Sequence, residues 1–107
     1  MEDFIMYIGK VLLTDEWQEV ESLVKELDGQ SSFSFGTEDT YIIQQDSQTA
    51  LALLAVAASA DSLGTGDGLQ LGCPQSAEFK GESGMKLFAK RSTPAGGAMS
   101  LIIAKAG

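Results

Sequence analysis

The sequence predicts a mainly β fold: a compact β-sandwich, jelly-roll-like, of about seven or eight short strands with one short amphipathic helix over 15–27. Three observations carry this. The apolar runs are short and rich in β-branched and aromatic residues, as strands are. Turn clusters recur roughly every 8–12 residues in the second half, the spacing of a sandwich or barrel. Twelve glycines among 107 residues supply the tight turns such a fold needs. The length is that of one domain, 1–107, with 1–13 as an N-terminal strand or arm and 14–107 as the sandwich.

Phe4 to Leu13 is almost continuously apolar, and Phe4, Ile5, Tyr7, Ile8 and Val11 favour a strand. Gly9 within it suggests a bend or bulge. The helix follows. Thr14 can N-cap it, Asp15 and Glu16 suit its first turn, and Trp17, Val20, Val24 and Leu27 form one stripe. Glu19, Glu21 and Glu26 fall off the stripe, and Asp28-Gly29 ends the helix. The alternation Ser31–Phe35 suits a short strand, and Tyr41–Gln45 (YIIQQ) reads as another. Residues 50–58 (ALALLAVAA) fit a buried strand by length and a helix by alanine and leucine content, and both readings stand. Leu69-Gln70-Leu71 after a Gly-Asp-Gly turn, Ala77–Lys80, Met85–Lys90 and Ala98–Ala104 complete the strands, with turn chemistry at 92–97 (STPAGG).

Composition excludes several chemistries. With no histidine there is no Ser-His-Asp triad, Cys-His dyad or imidazole acid/base. One cysteine and no histidine cannot supply the usual zinc ligands, and a lone cysteine forms no intrachain disulfide. Cys73 reads as a small buried hydrophobe. No apolar run approaches the ~18 residues of a membrane span, and MEDFIMYIG lacks the basic start of a signal peptide. The net charge is −8, which argues against nucleic acid or an anionic membrane as a partner. That charge is lopsided: residues 1–46 carry net −9 and residues 47–107 net +1.

The remaining motifs read as architecture. Gly64-Thr65-Gly66-Asp67-Gly68 hands over to a strand and not to a helix N-terminus, so it is a turn and not a phosphate loop. It cannot gather the oxygens calcium takes. The helix carboxylates lie on a solvated polar face. Trp17 is expected in the core, packing its helix on a sheet. Lys86, Lys90 and Arg91, with Phe88 among them, form a small basic cluster suited to contacting a complementary protein surface. No catalytic, cofactor-binding or metal-binding residue is expected.

The succession LLTDEWQEVESLV, TYIIQQ, an alanine-rich apolar strand, GDGLQLG, GMKLFAK and SLIIAKAG resembles the small structural proteins of tailed-bacteriophage virions. These include capsid decoration or cement proteins and small head, neck or fibre-attachment components. The resemblance implies a non-enzymatic protein located in the virion and made in the host cytoplasm. It implies no cofactor and contacts with itself and with major capsid or other virion proteins. The expected assembly is a homo-oligomer, such as a cyclic trimer, with Phe4, Ile5, Tyr7, Ile8 and the basic cluster at the contact. The alternative is an acidic phage-type inhibitor whose 1–46 segment mimics nucleic acid on a host enzyme. A carbohydrate-binding sandwich is disfavoured by the single Trp.

Overall fold

The computed structural model of the chain describes residues 5–48, 50–64, 67–73, 75–92 and 99–106. Over these residues the chain forms β1 (Ile5–Leu13), β2 (Gln18–Glu19), α1 (Val20–Lys25), β3 (Thr40–Gln45), β4 (Ala52–Ala57), β5 (Leu69–Leu71), β6 (Ser76–Lys80), β7 (Lys86–Arg91) and β8 (Met99–Ala106). A single 3₁₀ turn spans Ala60–Ser62. One sheet has the order β1-β8-β3-β6 and the other β2-β7-β4-β5, and every pairing is antiparallel.

That order is a jelly roll. First pairs with last, second with seventh, third with sixth and fourth with fifth, as if one long hairpin were wrapped around a barrel. The core lies between the two inner faces. Val11, Leu13, Ile43, Leu101 and Ile103 come from one sheet, and Ala52, Leu54, Leu87 and Ala89 from the other. The radius of gyration is 13.2 Å, close to the ~13 Å of a single 100-residue domain.

Alternation fixes the faces. On β8, Met99, Leu101 and Ile103 are buried, and their partners Leu13, Val11 and Gly9 on β1 are buried with them. The register slips between Tyr7 and Gly9, where Ile8 is the extra residue, so the bend expected at Gly9 is a β-bulge. The slip reverses the alternation. Ile5 and Tyr7 point to the outer face with Ala106 and Ala104, while Met6 shares the inner side with Lys105 and Tyr41.

The helix is shorter than its sequence pattern. It spans Val20–Lys25, its N-cap is Glu19, and no side chain caps it. Thr14 instead closes a local turn by accepting from the Glu16 N–H at 3.3 Å. Gln18 and Glu19 pair with Ala89 and Phe88 of β7. A long-range ladder thus claims the residues that local capping would have made helical. Val20 and Val24 remain fully buried, and α1 packs on both β1 and β7, bridging the two sheets. Trp17 lies outside the helix.

Two further elements differ from or settle the sequence reading. Ser31–Phe35 is a turn and not a strand, with the Phe33 N–H donating to Gln30 O at 3.0 Å. Phe33 and Phe35 join Tyr41 and Phe79 in edge-to-face contacts, 4.7 Å between the Phe35 and Tyr41 ring centroids. Residues 52–57 are a strand, held between β5 and β7. The strand expected over Ala98–Ala104 is observed as β8, while residues 93–98 of the expected turn and strand start lie outside the described residues.

Candidate functional site

Two apolar features lie at opposite edges of the β1-β8-β3-β6 sheet. The first is the free end of β1. Ile5, Met6 and Tyr7 are 62%, 57% and 63% exposed although they sit in a regular ladder with β8. Beyond the bulge both faces of the strand are thus largely exposed. Ile42 and Ala104 flank Tyr7 on the outer face and are half-buried. Ile8 differs, because the bulge turns it onto the core. Phe4, expected at the same contact, lies outside the described residues.

The second feature is a cleft of about 440 Å³ between the sheets, lined by Ile43, Leu54, Val56, Leu69, Phe79 and Leu87 among others. It continues past Leu71 and Ser76 into a hollow of about 480 Å³. Register places Leu69 opposite Leu54 and Val56 opposite Leu87, so both belong to the inner face. Nevertheless Leu69 is 75% exposed and Val56 45%. The edge strands β5 and β6 form the lips, three and five residues long, and they are too short to close the sandwich there. Pockets of this size and apolar lining are the usual form of a binding site.

The residues of the basic cluster are engaged within the chain. Arg91 Nη2 lies 2.8 Å from Asp15 and Lys86 Nζ 3.9 Å from Glu19. Lys90 is only 6% exposed, beneath the Trp17 ring at 5.3 Å from its centroid. The basic cluster therefore binds its own N-terminal acids and Trp17. A shallow hollow bordered by Glu19, Glu21 and Glu82 brings three carboxylates near one another. Glu19 accepts from Ser22 Oγ at 2.9 Å, and Glu21 accepts from the Phe35 N–H at 3.0 Å and lies 3.6 Å from Lys25. Among the described residues no three Asp, Glu or Cys side chains gather around a common ion position, and no helix is long and apolar enough to cross a membrane. Cys73 is half-buried with a free thiol.

Trp17 holds Gly64 and Gly68 beside the outer face of the β2-β7-β4-β5 sheet. Its Nε1–H donates to Gly64 O at 2.9 Å. Gly68, at φ +107°, lets the backbone pass beside the ring, for a Cβ there would stand 2.9 Å from the indole and 3.0 Å from Leu54 O. Gly64 and Asp67 close the loop as a turn, the Gly64 N–H donating to Asp67 Oδ2 at 2.6 Å. This loop sets the position of Leu69 and so one lip of the cleft. Because the ring is half-buried, Trp17→Ala is expected to cost about 2 kcal/mol, below the ~3–5 kcal/mol of a fully buried Trp. Urea denaturation measures this, with proteolysis of the 58–68 loop as the local readout.

Of the β1 residues singled out from sequence, Ile5 and Tyr7 are exposed and Ile8 is not, and neither the cleft nor Gln45 was anticipated. Gln45 is buried in β3. Its Nε2 donates to Ala50 O at 3.0 Å and to Leu71 O at 3.3 Å, and its Oε1 accepts from the Ser47 N–H. It thereby ties one sheet to β5 of the other. An inward Gln in an otherwise alternating strand was the available signal. The cleft had none, since it arises from where two strands stop. No family model, curated protein or solved structure matches the chain.

Proposed function

We propose that this protein is a non-enzymatic structural component of a virion, decorating or cementing a capsid or building a small head, neck or fibre element through protein–protein contacts. The observation that carries the reading is the end of β1, where Ile5, Met6 and Tyr7 stand in ordered backbone yet face solvent. Apolar residues displayed on a rigid edge mark a contact surface, and an uncovered one is an aggregation hazard. The jelly roll is compatible, being shared by capsid proteins, lectins and cupins, but fold alone does not assign function. The contact with itself or with a capsid protein runs through β1.

The double variant Ile5→Ser/Tyr7→Ser tests this. Both side chains are exposed, so the melting temperature is expected to stay within a few degrees of the parent. Self-association in sedimentation, or incorporation into particles, is expected to be lost. Unchanged assembly would remove the proposal. The rival reading, an acidic nucleic-acid mimic, has less support. Five of the eleven acidic residues in 1–46, namely Asp15, Glu19, Glu21, Asp39 and Asp46, are within 4 Å of a lysine or arginine of the same chain. A decoy would reveal itself by binding a nucleic-acid enzyme with an affinity that falls steeply with salt.

A further inference from the structure

We infer that the inter-sheet cleft at the β5/β6 edge is a receptor for β1 of a second copy of this chain, so that the two apolar features complete each other between subunits. This rests on the reading above, that β1 is the contact strand, and adds what it contacts.

In the order β1-β8-β3-β6 every neighbour is antiparallel, so the two edge strands run in opposite directions. A second copy in the same orientation therefore brings its β1 alongside β6 antiparallel, and the sheet continues across the contact. β6 pairs only with β3 among the described residues, so one side of its backbone carries no ladder. Strand addition to such an edge is a common recognition mode: main-chain bonds give affinity, and pockets for alternate side chains give specificity.

The side chains agree with the backbone. A strand laid beside β6 shows one face to solvent and the other to the cleft. The free end of β1 is apolar on both, with Ile5 and Tyr7 on one side and Met6 on the other. Met6, exposed in its own subunit, faces inward toward Leu69 and Val56, which the described residues leave 75% and 45% exposed. Methionine suits an irregular apolar gap. On the outer face, Glu78 of β6 offers a second carboxylate to Lys10, the one cation on β1, which already lies 3.4 Å from Asp46 of its own chain and is half-exposed. The contact is head-to-tail. Twist rotates each added copy, and such a contact closes into a ring when the rotation divides the circle.

The test uses the full chain with Cys73→Ser. One tagged population carries Tyr7→Cys. A second, differently tagged, carries Ser76→Cys, Glu78→Cys or Lys80→Cys, the outer positions of β6. Mixed and oxidised, the two are expected to form a disulfide between unlike tags at one of the three positions, with Ala77→Cys as the inward control that does not react. Independently, Leu69→Asp is expected to weaken self-association on the order of tenfold or more while leaving the melting temperature unchanged, because Leu69 is exposed in the isolated subunit. Disulfides confined to Tyr7→Cys with itself, or association indifferent to Leu69→Asp, would overturn the cleft as receptor and leave β1 as a contact strand. A chain that stays monomeric at every concentration would overturn the cleft as receptor and any contact of β1 with itself.

Discussion

Gly81→Ala is expected to destabilise the protein by at least ~3 kcal/mol, at or beyond the upper end of overpacking costs. Gly81 is buried where β6 ends, and its N–H donates to Asp39 O at 3.3 Å. A Cβ at this position would collide with the carbonyl carbon and oxygen of Gly36 and stand 3.3 Å from the Thr37 Cα. All of these are backbone atoms and have no rotamer by which to retreat. The 36–39 turn must therefore lift away, and it is attached to the aromatic cluster. The Gly36 N–H donates to Tyr41 Oη at 2.8 Å, and Phe35 stacks edge-on to Tyr41 and Phe79. The expected result is a fall in Tm on the order of 10–20 °C, with loss of near-ultraviolet tyrosine dichroism. Ser83→Ala, exposed two residues on, is the control and should stay within ~0.5 kcal/mol.

Leu101→Ala should cost ~3–4 kcal/mol. Leu101 is fully buried on β8, opposite Val11 on one side and Gln45 on the other. β8 has a strand on each side, so its backbone has little freedom to collapse into the space vacated, and large-to-small changes are most costly where a site cannot relax. Against a total of ~5–15 kcal/mol for an ordinary domain, this removes a large share. Urea titration should show a lower midpoint at constant slope. Leu69→Ala, the same deletion at an exposed lip of the cleft, should cost under ~0.5 kcal/mol. Equal losses at the two sites would mean that the core is not where β8 places it.

Most of the strands were legible because each signal was local. Tyr41–Gln45 and Leu69–Leu71 carry their own patterning and turn punctuation, and they form where that patterning puts them. The misreadings share one cause, which is a distant partner. Thr14, Asp15 and Glu16 make a sound helix start in isolation, yet β7, some seventy residues away, pairs with Gln18 and Glu19 first. Residues 50–58 were open between helix and strand for the same reason: alanine and leucine favour a helix locally, and the pairing of 52–57 with β5 and β7 decides for the strand. The alternation of Phe33 and Phe35 feeds an aromatic cluster and not a ladder. The exposed apolar surface was half legible. Ile5 and Tyr7 were conspicuous within an uncharged run, whereas the cleft depends on the lengths of β5 and β6. The charges of Lys86 and Arg91 meet Glu19 and Asp15, which no spacing reveals.

The wrapped strand order also governs how the chain is born. β1 leaves the ribosome first of the eight strands, and its ladder partner, β8, leaves last. β3, which abuts β8 on the other side, waits for one of its two ladders as well. Until β8 has emerged the nascent chain therefore carries an apolar strand with no mate, and the sheet cannot be completed before its central member is out. Closure is slow in the manner of non-local β pairings, and the strand is exposed meanwhile to neighbours on the same polysome.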